Sequence, residues 1–455
     1  MPVDVIVVGG GIAGLSAAYE LHAQGLSFLL LERTARPGGV IISEDVDGYT
    51  IDGGPDSLLV QKPEAIALCR AIGLEDRLVP TQPPRLAFIL RGGQLHPLPA
   101  SSVLGIPTRI GPFISTKLFT WPGKIRMAAE LFVPARRDGA DESIGSFMRR
   151  RFGDEATTYL AEPLLAGIHA GDVEKLSMKA LFPRLVETEQ KHGSLLATFR
   201  AARPASGASD GAFRSLPGGL SEMVRALVAQ LPQASLRFNT PVRRVLLTPS
   251  RVETERGERL SARAVVVAAP AYVAADLLRD QNADIARLCQ DVRYASTATI
   301  ALAFPRSAVS HPLNGSGFVV PRTEGTGILA ASWLSSKWPH RAPDNRVLMR
   351  AFFGGARDEA ALSRTDAQLQ ETAMAALRPL LGISGDPLLA RVYRFERASA
   401  QHEVGHLARI ETLDKILSRT PGLFMTGSGL RGVGIPDCVA DARATARKAS
   451  EWLHQ

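Results

Sequence analysis

Residues 3 to 32 constrain this chain more than any other stretch, because they read in order as a buried strand, a glycine turn, a helix and a second buried strand. Val3-Asp4-Val5-Ile6-Val7-Val8 is a nearly continuous apolar run ending in Gly9-Gly10-Gly11-Ile12-Ala13-Gly14. Leu15 to Gln24 then has helical spacing, Gly25 stops it, and Ser27-Phe28-Leu29-Leu30-Leu31 leads to Glu32. Gly9 permits a tight turn, Gly11 lets the backbone approach a pyrophosphate, and Gly14 lets helix and strand pack closely. The helix start offers unpaired N–H groups and a positive dipole end to phosphates. Glu32 stands where a carboxylate would accept hydrogen bonds from a ribose hydroxyl and repel a 2′-phosphate. Glycine turns also serve packing alone, but strand, helix, second strand and terminal acid are all in register here.

At 455 residues the chain suggests about three domain-sized units or one parent fold with insertions. Apolar content of 45% and charged content of 22% are those of a globular protein, and a net charge of +8 suits anionic partners. No basic block with interleaved aromatics occurs, so nucleic acid is not an expected partner. Cys69, Cys289 and Cys438 are widely spaced and fit reduced thiols in a cytoplasmic protein. The first residues enter a strand without a basic n-region or cleavage site, so no secretory signal is expected. The longest apolar candidate for a membrane span, Ala264 to Ala275, holds Pro270 and is cut off by Asp276.

After Glu32, Arg33-Thr34-Ala35-Arg36-Pro37-Gly38-Gly39-Val40 places paired glycines behind basic residues, and Ile51-Asp52-Gly53-Gly54-Pro55-Asp56-Ser57 follows. Both resemble the amine-oxidase-like flavoproteins, in which the first pattern accompanies FAD and the second passes the flavin. Pro63 to Gly73 reads as a helix, and Arg85 stands at the mouth of a hairpin, Leu86 to Leu98. From Pro99 to Arg137, Pro, Gly, Phe and Trp are spread among scattered basic residues. That composition suits a headgroup interface, with Phe113, Phe119 and Trp121 inserted and Arg109, Lys117, Lys124 and Arg126 at the headgroups, or an ordinary helical insertion. Asp141 to Phe152 and Glu155 to Leu165 read as helices. The stretch after them, Gly167-Ile168-His169-Ala170-Gly171-Asp172-Val173-Glu174-Lys175-Leu176-Ser177, resembles the protoporphyrinogen oxidase family, where such a segment lies beside the substrate.

Ala201 to Gly211 is small and polar enough to be a loop. Thr240-Pro241-Val242 with Val245-Leu246-Leu247, and then Ala264 to Pro270, resemble the strands that return to the FAD domain in these flavoproteins. Strand-like runs between residues 290 and 400 surround one long helix, Asp366 to Leu381. Leu423 to Cys438 is a closing strand and glycine loop before a helix, and it resembles the second flavin motif, whose helix start points at the flavin ring. His402-Glu403-Val404-Gly405-His406 satisfies a zinc-protease pattern, yet Gly405 disfavours the helix that the pattern requires. The family has Gln-Tyr-x-x-Gly-His there, matched by Gln401, Gly405 and His406, with His402 replacing the tyrosine. No metal is expected.

The fold class implied is α/β and α+β: a discontinuous Rossmann-like FAD-binding domain, an inserted mixed-sheet substrate domain, and a helical, membrane-contacting insertion. The divisions are 1–84, 212–285 and 401–455 for FAD, 85–98 and 286–400 for substrate, and 99–211 for the helical part. Residues expected at the cofactor are Gly9, Gly10, Gly11, Ile12, Ala13, Gly14, Glu32, Arg33, Gly38, Gly39, Val40, Gly54, Pro55, Asp56, Ser57, Val242, Val433, Gly434 and Ile435. Arg85, Gly167, Val319, Phe352 and Phe353 are expected at the substrate, and no catalytic acid or base is required. What the resemblance implies is oxidation of protoporphyrinogen IX to protoporphyrin IX in three two-electron steps. Each step reduces FAD, molecular oxygen reoxidises it, and hydrogen peroxide is released. The nearest rival is coproporphyrinogen III, which carries four propionates instead of two. More distant are an amine oxidase, a carotenoid desaturase, or a flavin-free binding protein of the GDP-dissociation-inhibitor type. A cytoplasmic protein peripheral to the inner face of the cell membrane, with a heme-pathway enzyme as partner, completes the expectation.

Overall fold

The computed structural model describes residues 3–99, 102–103, 106–107, 109–201, 211–247 and 250–455. Most of the small, polar stretch expected as a loop at 201–211 lies outside the described residues.

Val3–Val8 is the middle of a parallel sheet, flanked by Phe28–Leu31 and then Leu236–Arg237 on one side. On the other side it pairs with Arg259–Val267, which in turn pairs with Leu423–Met425. The near-continuous apolar run of Val3–Val8 is explained by cover on both faces. Val5 and Val7 pack into a core with the helices Ile12–Ala23 and Ile435–Leu453, while Ile6 and Val8 face the core built on Ala271–Leu278 and Ala283–Gln290. Arg259–Val267 also pairs antiparallel, through its first residues, with Ser250–Thr254, itself hairpinned to Val242–Leu247. The sheet thus draws on chain near residues 3–31, 236–267 and 423–425.

A second sheet runs Leu389–Gln401, Arg293–Pro305, Arg346–Gly354, Ala330–Ser332, Gly317–Val319, Ala87–Arg91, Gln94–Pro97. The expected hairpin is its far edge, joined in parallel to Gly317–Val319. Asp366–Leu381 covers one face, as its sequence signals require. Thr365 and Gln368 form a reciprocal cap at its start, and Gly382 closes it at a left-handed φ of 58°. Ile300, Leu302, Met349, Phe353, Leu369 and Leu377 fill the core between helix and sheet.

The region from 109 to 201 is helical around Phe147, Met148, Phe152, Leu160, Met178 and Leu185. At its centre the Arg151 guanidinium, wholly buried, pairs with Glu130 and with Glu189. Where an α-helix was expected over Glu155 to Leu165, Thr157–Ala166 is a ten-residue π-helix containing Pro163. Proline has no N–H to donate and its ring crowds the carbonyl four residues back, and the wider turn accommodates both. Three residues expected at a lipid surface are used internally instead. Phe119 is buried in the helical core, and Lys124 is buried with its Nζ donating to the Ile114 carbonyl at 2.6 Å. Arg126 donates to the carbonyls of Arg149, Arg150 and Arg151 at the end of the helix Ile144–Phe152. Ile110, Trp121, Ile125 and Phe132 are nonetheless 54, 63, 68 and 87% exposed. No helix among the described residues is long and apolar enough to cross a membrane.

Candidate cofactor and substrate site

Gly9, Gly10 and Gly14 are pressed on all sides, and Gly11 is not. A Cβ at Gly9 would lie 2.6 Å from the Ala268 carbonyl oxygen, and one at Gly14 only 1.8 Å from that of Gly9. At Gly10 it would meet the Glu32 side chain, whose carboxylate accepts the Gly10 N–H at 2.7 Å. At Gly11 it would meet nothing within 4 Å. Gly11 is also the residue before the helix Ile12–Ala23, and no side chain caps that helix. The other oxygen of Glu32 accepts from the Thr34 N–H at 2.9 Å and its hydroxyl at 2.8 Å. Thr240 donates its N–H to the Glu32 carbonyl, so the chain entering the strand at Val242 runs beside this acid.

The paired glycines lie against the turn: Gly38 donates to the Gly10 carbonyl at 2.8 Å, and Gly38 and Gly39 both have positive φ, 104° and 60°. Arg36 holds this loop closed through the carbonyls of Pro37, Gly39 and Ile41. Sequence reasoning named Arg33, which is exposed, together with Val40 next door; the clasping role of Arg36 had only its place before Pro37-Gly38 as a signal.

Gly54 packs so closely on the Val40 carbonyl that a Cβ would come within 2.0 Å of its oxygen, and Gly53 does the same against the Tyr393 ring. Beyond Pro55, Asp56 is buried between Lys337 Nζ at 3.0 Å and Arg350 Nη2 at 3.2 Å, with the Ser57 hydroxyl donating at 2.9 Å. Burial alone would raise its pKa, but the two cations outweigh that and hold the carboxyl well below the usual range. Arg350 also donates to the carbonyls of Asp52 and Gly54. Asp56 therefore fixes the Gly53–Ser57 segment to the second sheet. Arg350 within the apolar run from Val347 to Phe353 is the hint of this in the sequence.

The register of that sheet aligns Ile89, Val319, Ala330, Phe352, Thr299 and Tyr393 across six strands. At one end of the row the Thr299 hydroxyl donates to the Gly53 carbonyl at 2.8 Å and Tyr393 abuts Gly53. At the other end Ile89 and Val319 pack on the helical core. Between them Val319, Ala330 and Phe352 are only half-buried. Val319 and Phe352, both expected at the substrate, lie in this row, and Arg350 stacks over the Phe352 ring at 4.6 Å. Phe353 is a correction. Successive strand residues face opposite sides, so Phe353 points into the wholly buried core beneath Asp366–Leu381 and cannot line a cleft with Phe352.

Gly167 opens the helical turn Gly167–His169 and is half-buried, with open space where a Cβ would go. The His169 carbonyl accepts from the Ser399 hydroxyl and Gln401 Nε2, both at 2.9 Å, which seats this segment on the end of Leu389–Gln401. Burial, helped by Lys62, keeps the His169 imidazole neutral down to about 4. Lys62 is itself paired with Asp437 at 2.7 Å in the first turn of Ile435–Leu453. That helix follows Val433 and Gly434, again without a side-chain cap. His402 and His406 do not make a helical metal pair: the helix His406–Leu417 begins only at the second, and the rings stack 3.8 Å apart. Arg85 is exposed before the strand Ala87–Arg91, its Nε donating to the Thr81 carbonyl at 3.0 Å, with Gly211 close beside it.

Two uncapped helix starts, each preceded by glycine, and the open space at Gly11 fit a bound dinucleotide: the amides need an acceptor, and among the described residues no side chain supplies one. The fold and this site define a flavoprotein that binds FAD on a sheet assembled from separated parts of the chain. Residues 12–450 match the description of the flavin containing amine oxidoreductases, and the chain belongs to that family. It is 38% identical to a coproporphyrinogen III oxidase of Bacillus subtilis, over 99% of this chain and 98% of that protein. It is 30% identical to the chloroplastic protoporphyrinogen oxidase of Nicotiana tabacum, over 99% and 86%. A crystal structure from Exiguobacterium sp. 255-15, provisionally named a protoporphyrinogen oxidase, superposes with a TM-score of 0.89 at 34% identity over the whole of both chains.

Proposed function

We propose that this protein is a porphyrinogen oxidase whose substrate is coproporphyrinogen III, with protoporphyrinogen IX as the second reading. The observation that carries the class of substrate is the half-buried row of Val319, Ala330 and Phe352, an apolar surface facing the Gly53–Gly54 side and wide enough in strands to underlie a flat macrocycle. Sequence reasoning put protoporphyrinogen IX first. Preference passes to the four-propionate substrate because the relative at 38% identity is named for it, while the tobacco enzyme named for the other stands at 30%.

Bound here, FAD would supply a two-electron acceptor that oxygen can reoxidise. The fingerprint amides and the start of Ile435–Leu453 would hold the cofactor, and Glu32 would orient its ribose end. The sheet row positions the macrocycle and keeps water from its reacting carbon, while pyrrole protons leave to solvent. Arg85 takes a propionate as a bidentate partner. On this reading residues 1–84, 212–285 and 401–455 form the FAD unit, and 85–98 with 286–400 form the substrate unit. Residues 99–211 form the helical unit, which touches anionic lipid peripherally through Ile110, Trp121 and Ile125, with Arg109 and Lys117 at its rim.

Turnover of both porphyrinogens, followed by porphyrin fluorescence, tests the proposal. Wild type should favour coproporphyrinogen III. Arg85→Ala should lower its kcat/KM by about 1.5–3 kcal/mol, the range for hydrogen bonds to a charged group, and Arg85→Lys should recover little, because a point charge does not reproduce the fork. Preference for protoporphyrinogen IX would select the second reading, and no fluorescence from either would end the proposal.

A further inference from the structure

His402 is buried, and the zinc pattern does not account for it. We propose that His402 is a positioning residue that ties the substrate-side segment Gly167–Ser177 to the flavin loop between Met425 and Ile435. Its main chain does one half of this. The His402 carbonyl accepts the Ser177 N–H at 2.8 Å, and the next residue, Glu403, bridges Leu176. Its side chain does the other half, because the imidazole Nε2 lies 3.0 Å from the Ser428 carbonyl oxygen. The ring stacks on His406, 11° from parallel, and His406 Nε2 reaches the Leu430 carbonyl at 2.7 Å.

A carbonyl only accepts, so each Nε2 carries the hydrogen and each Nδ1 is bare. Both rings are buried, and a stacked pair of neutral imidazoles fixes two alternate carbonyls of one loop. On its other side the same loop is fixed where Gly429 meets the Tyr294 hydroxyl: a Cβ there would come within 2.2 Å. Arg431, which donates to the Met425 carbonyl at 3.1 Å and pairs with Asp414 and Asp441, holds the loop from within, and the loop ends at Gly434, the bare start of the helix expected at the flavin.

Two variants separate the ring from its donor. His402→Phe keeps a ring to stack on His406 but cannot donate; His402→Gln loses the ring but carries an amide nitrogen near the place of Nε2. FAD affinity, measured by titrating apoprotein, should weaken about tenfold in His402→Phe and return to within about threefold of wild type in His402→Gln, as expected for the loss and recovery of one buried hydrogen bond. Hydrogen exchange should quicken over residues 167–177 and 427–434 in the Phe variant while the helix Asp366–Leu381 stays protected. Unchanged FAD affinity in His402→Phe, no recovery in His402→Gln, or loosening spread evenly over the protein would each overturn the proposal. None of these readouts uses a porphyrinogen, so they stand apart from the choice of substrate.

Discussion

A single methyl group distinguishes the glycines of the turn after Val8. At Gly14 it would strike the backbone of Gly9, which cannot yield without parting helix from strand, whereas at Gly11 it would stand in open space. Gly14→Ala should therefore destabilise the protein itself, by about 1–3 kcal/mol as for an overpacked core, and lower its melting temperature with or without flavin. Gly11→Ala should leave the apoprotein's melting temperature unchanged and weaken FAD binding tenfold or more, because the methyl occupies the pyrophosphate's approach. Equal flavin affinity in wild type and Gly11→Ala, read by fluorescence titration, would show that no phosphate comes near Gly11. These glycines and Glu32 were legible in the sequence because the backbone there tolerates few alternatives. Phe352 and Phe353 were not separable, since two adjacent aromatics in a strand do not say which of them faces the core. Nor was the confinement of Asp56, whose partners Lys337 and Arg350 lie almost 300 residues away in the chain.

Elements were readable where their ends carry chemistry. Asp366–Leu381 has a reciprocal cap and a left-handed glycine stop, and its expected limits are the observed ones. The π-helix Thr157–Ala166 was not readable, because its apolar spacing is that of any helix and Pro163 alone marks the strain. The stretch His402 to His406 shows how spacing misleads: the pair is separated by a turn at Gly405, φ 90°, and both imidazoles bind carbonyls. Burial presses the His402 pKa to about 3, and those of His406 and His169 to about 4, from an ordinary 6.5. The unfolded chain gains these protons below pH 6.5 and the folded chain does not. Their contribution is therefore whole above 6.5 and is lost as pH falls towards 4, by up to about 1.4 kcal/mol per pH unit for each histidine. Asp56 works lower, its stabilisation fading only below the ordinary carboxylate pKa of 3.8. The urea midpoint should thus decline between pH 6.5 and 4, and less steeply in His402→Gln. A flat midpoint across that window would mean that the imidazoles are not held neutral.

Across the whole molecule, strands from both ends and the middle of the chain share one parallel sheet, and a hairpin from residues 87–97 completes a sheet otherwise built from residues 293–401. That weaving puts the Gly53–Ser57 segment against Arg350 and Thr299, and no local reading of either stretch could have joined them. Ile110, Ile114, Trp121, Ile125 and Leu131 line a cleft of about 280 Å³ together with Arg109 and Arg200. Trp121 is 63% exposed there, while Trp333 and Trp338 are buried. If this face meets lipid, Trp121 emission should shift to the blue on adding anionic vesicles at low salt and return at high salt, with each nearby cation worth about 1 kcal/mol. No shift at low salt would remove lipid as its partner. The central claim, that the cofactor on the parallel sheet accepts electrons from a porphyrinogen lying on the Val319–Phe352 row, meets its most direct test in an anaerobic titration. A porphyrinogen gives up six electrons and FAD takes two. Coproporphyrinogen III should therefore bleach the bound flavin completely at about a third of an equivalent, with coproporphyrin appearing in step and colour returning on admission of air. Flavin that stays oxidised under excess coproporphyrinogen III and protoporphyrinogen IX alike would contradict the account.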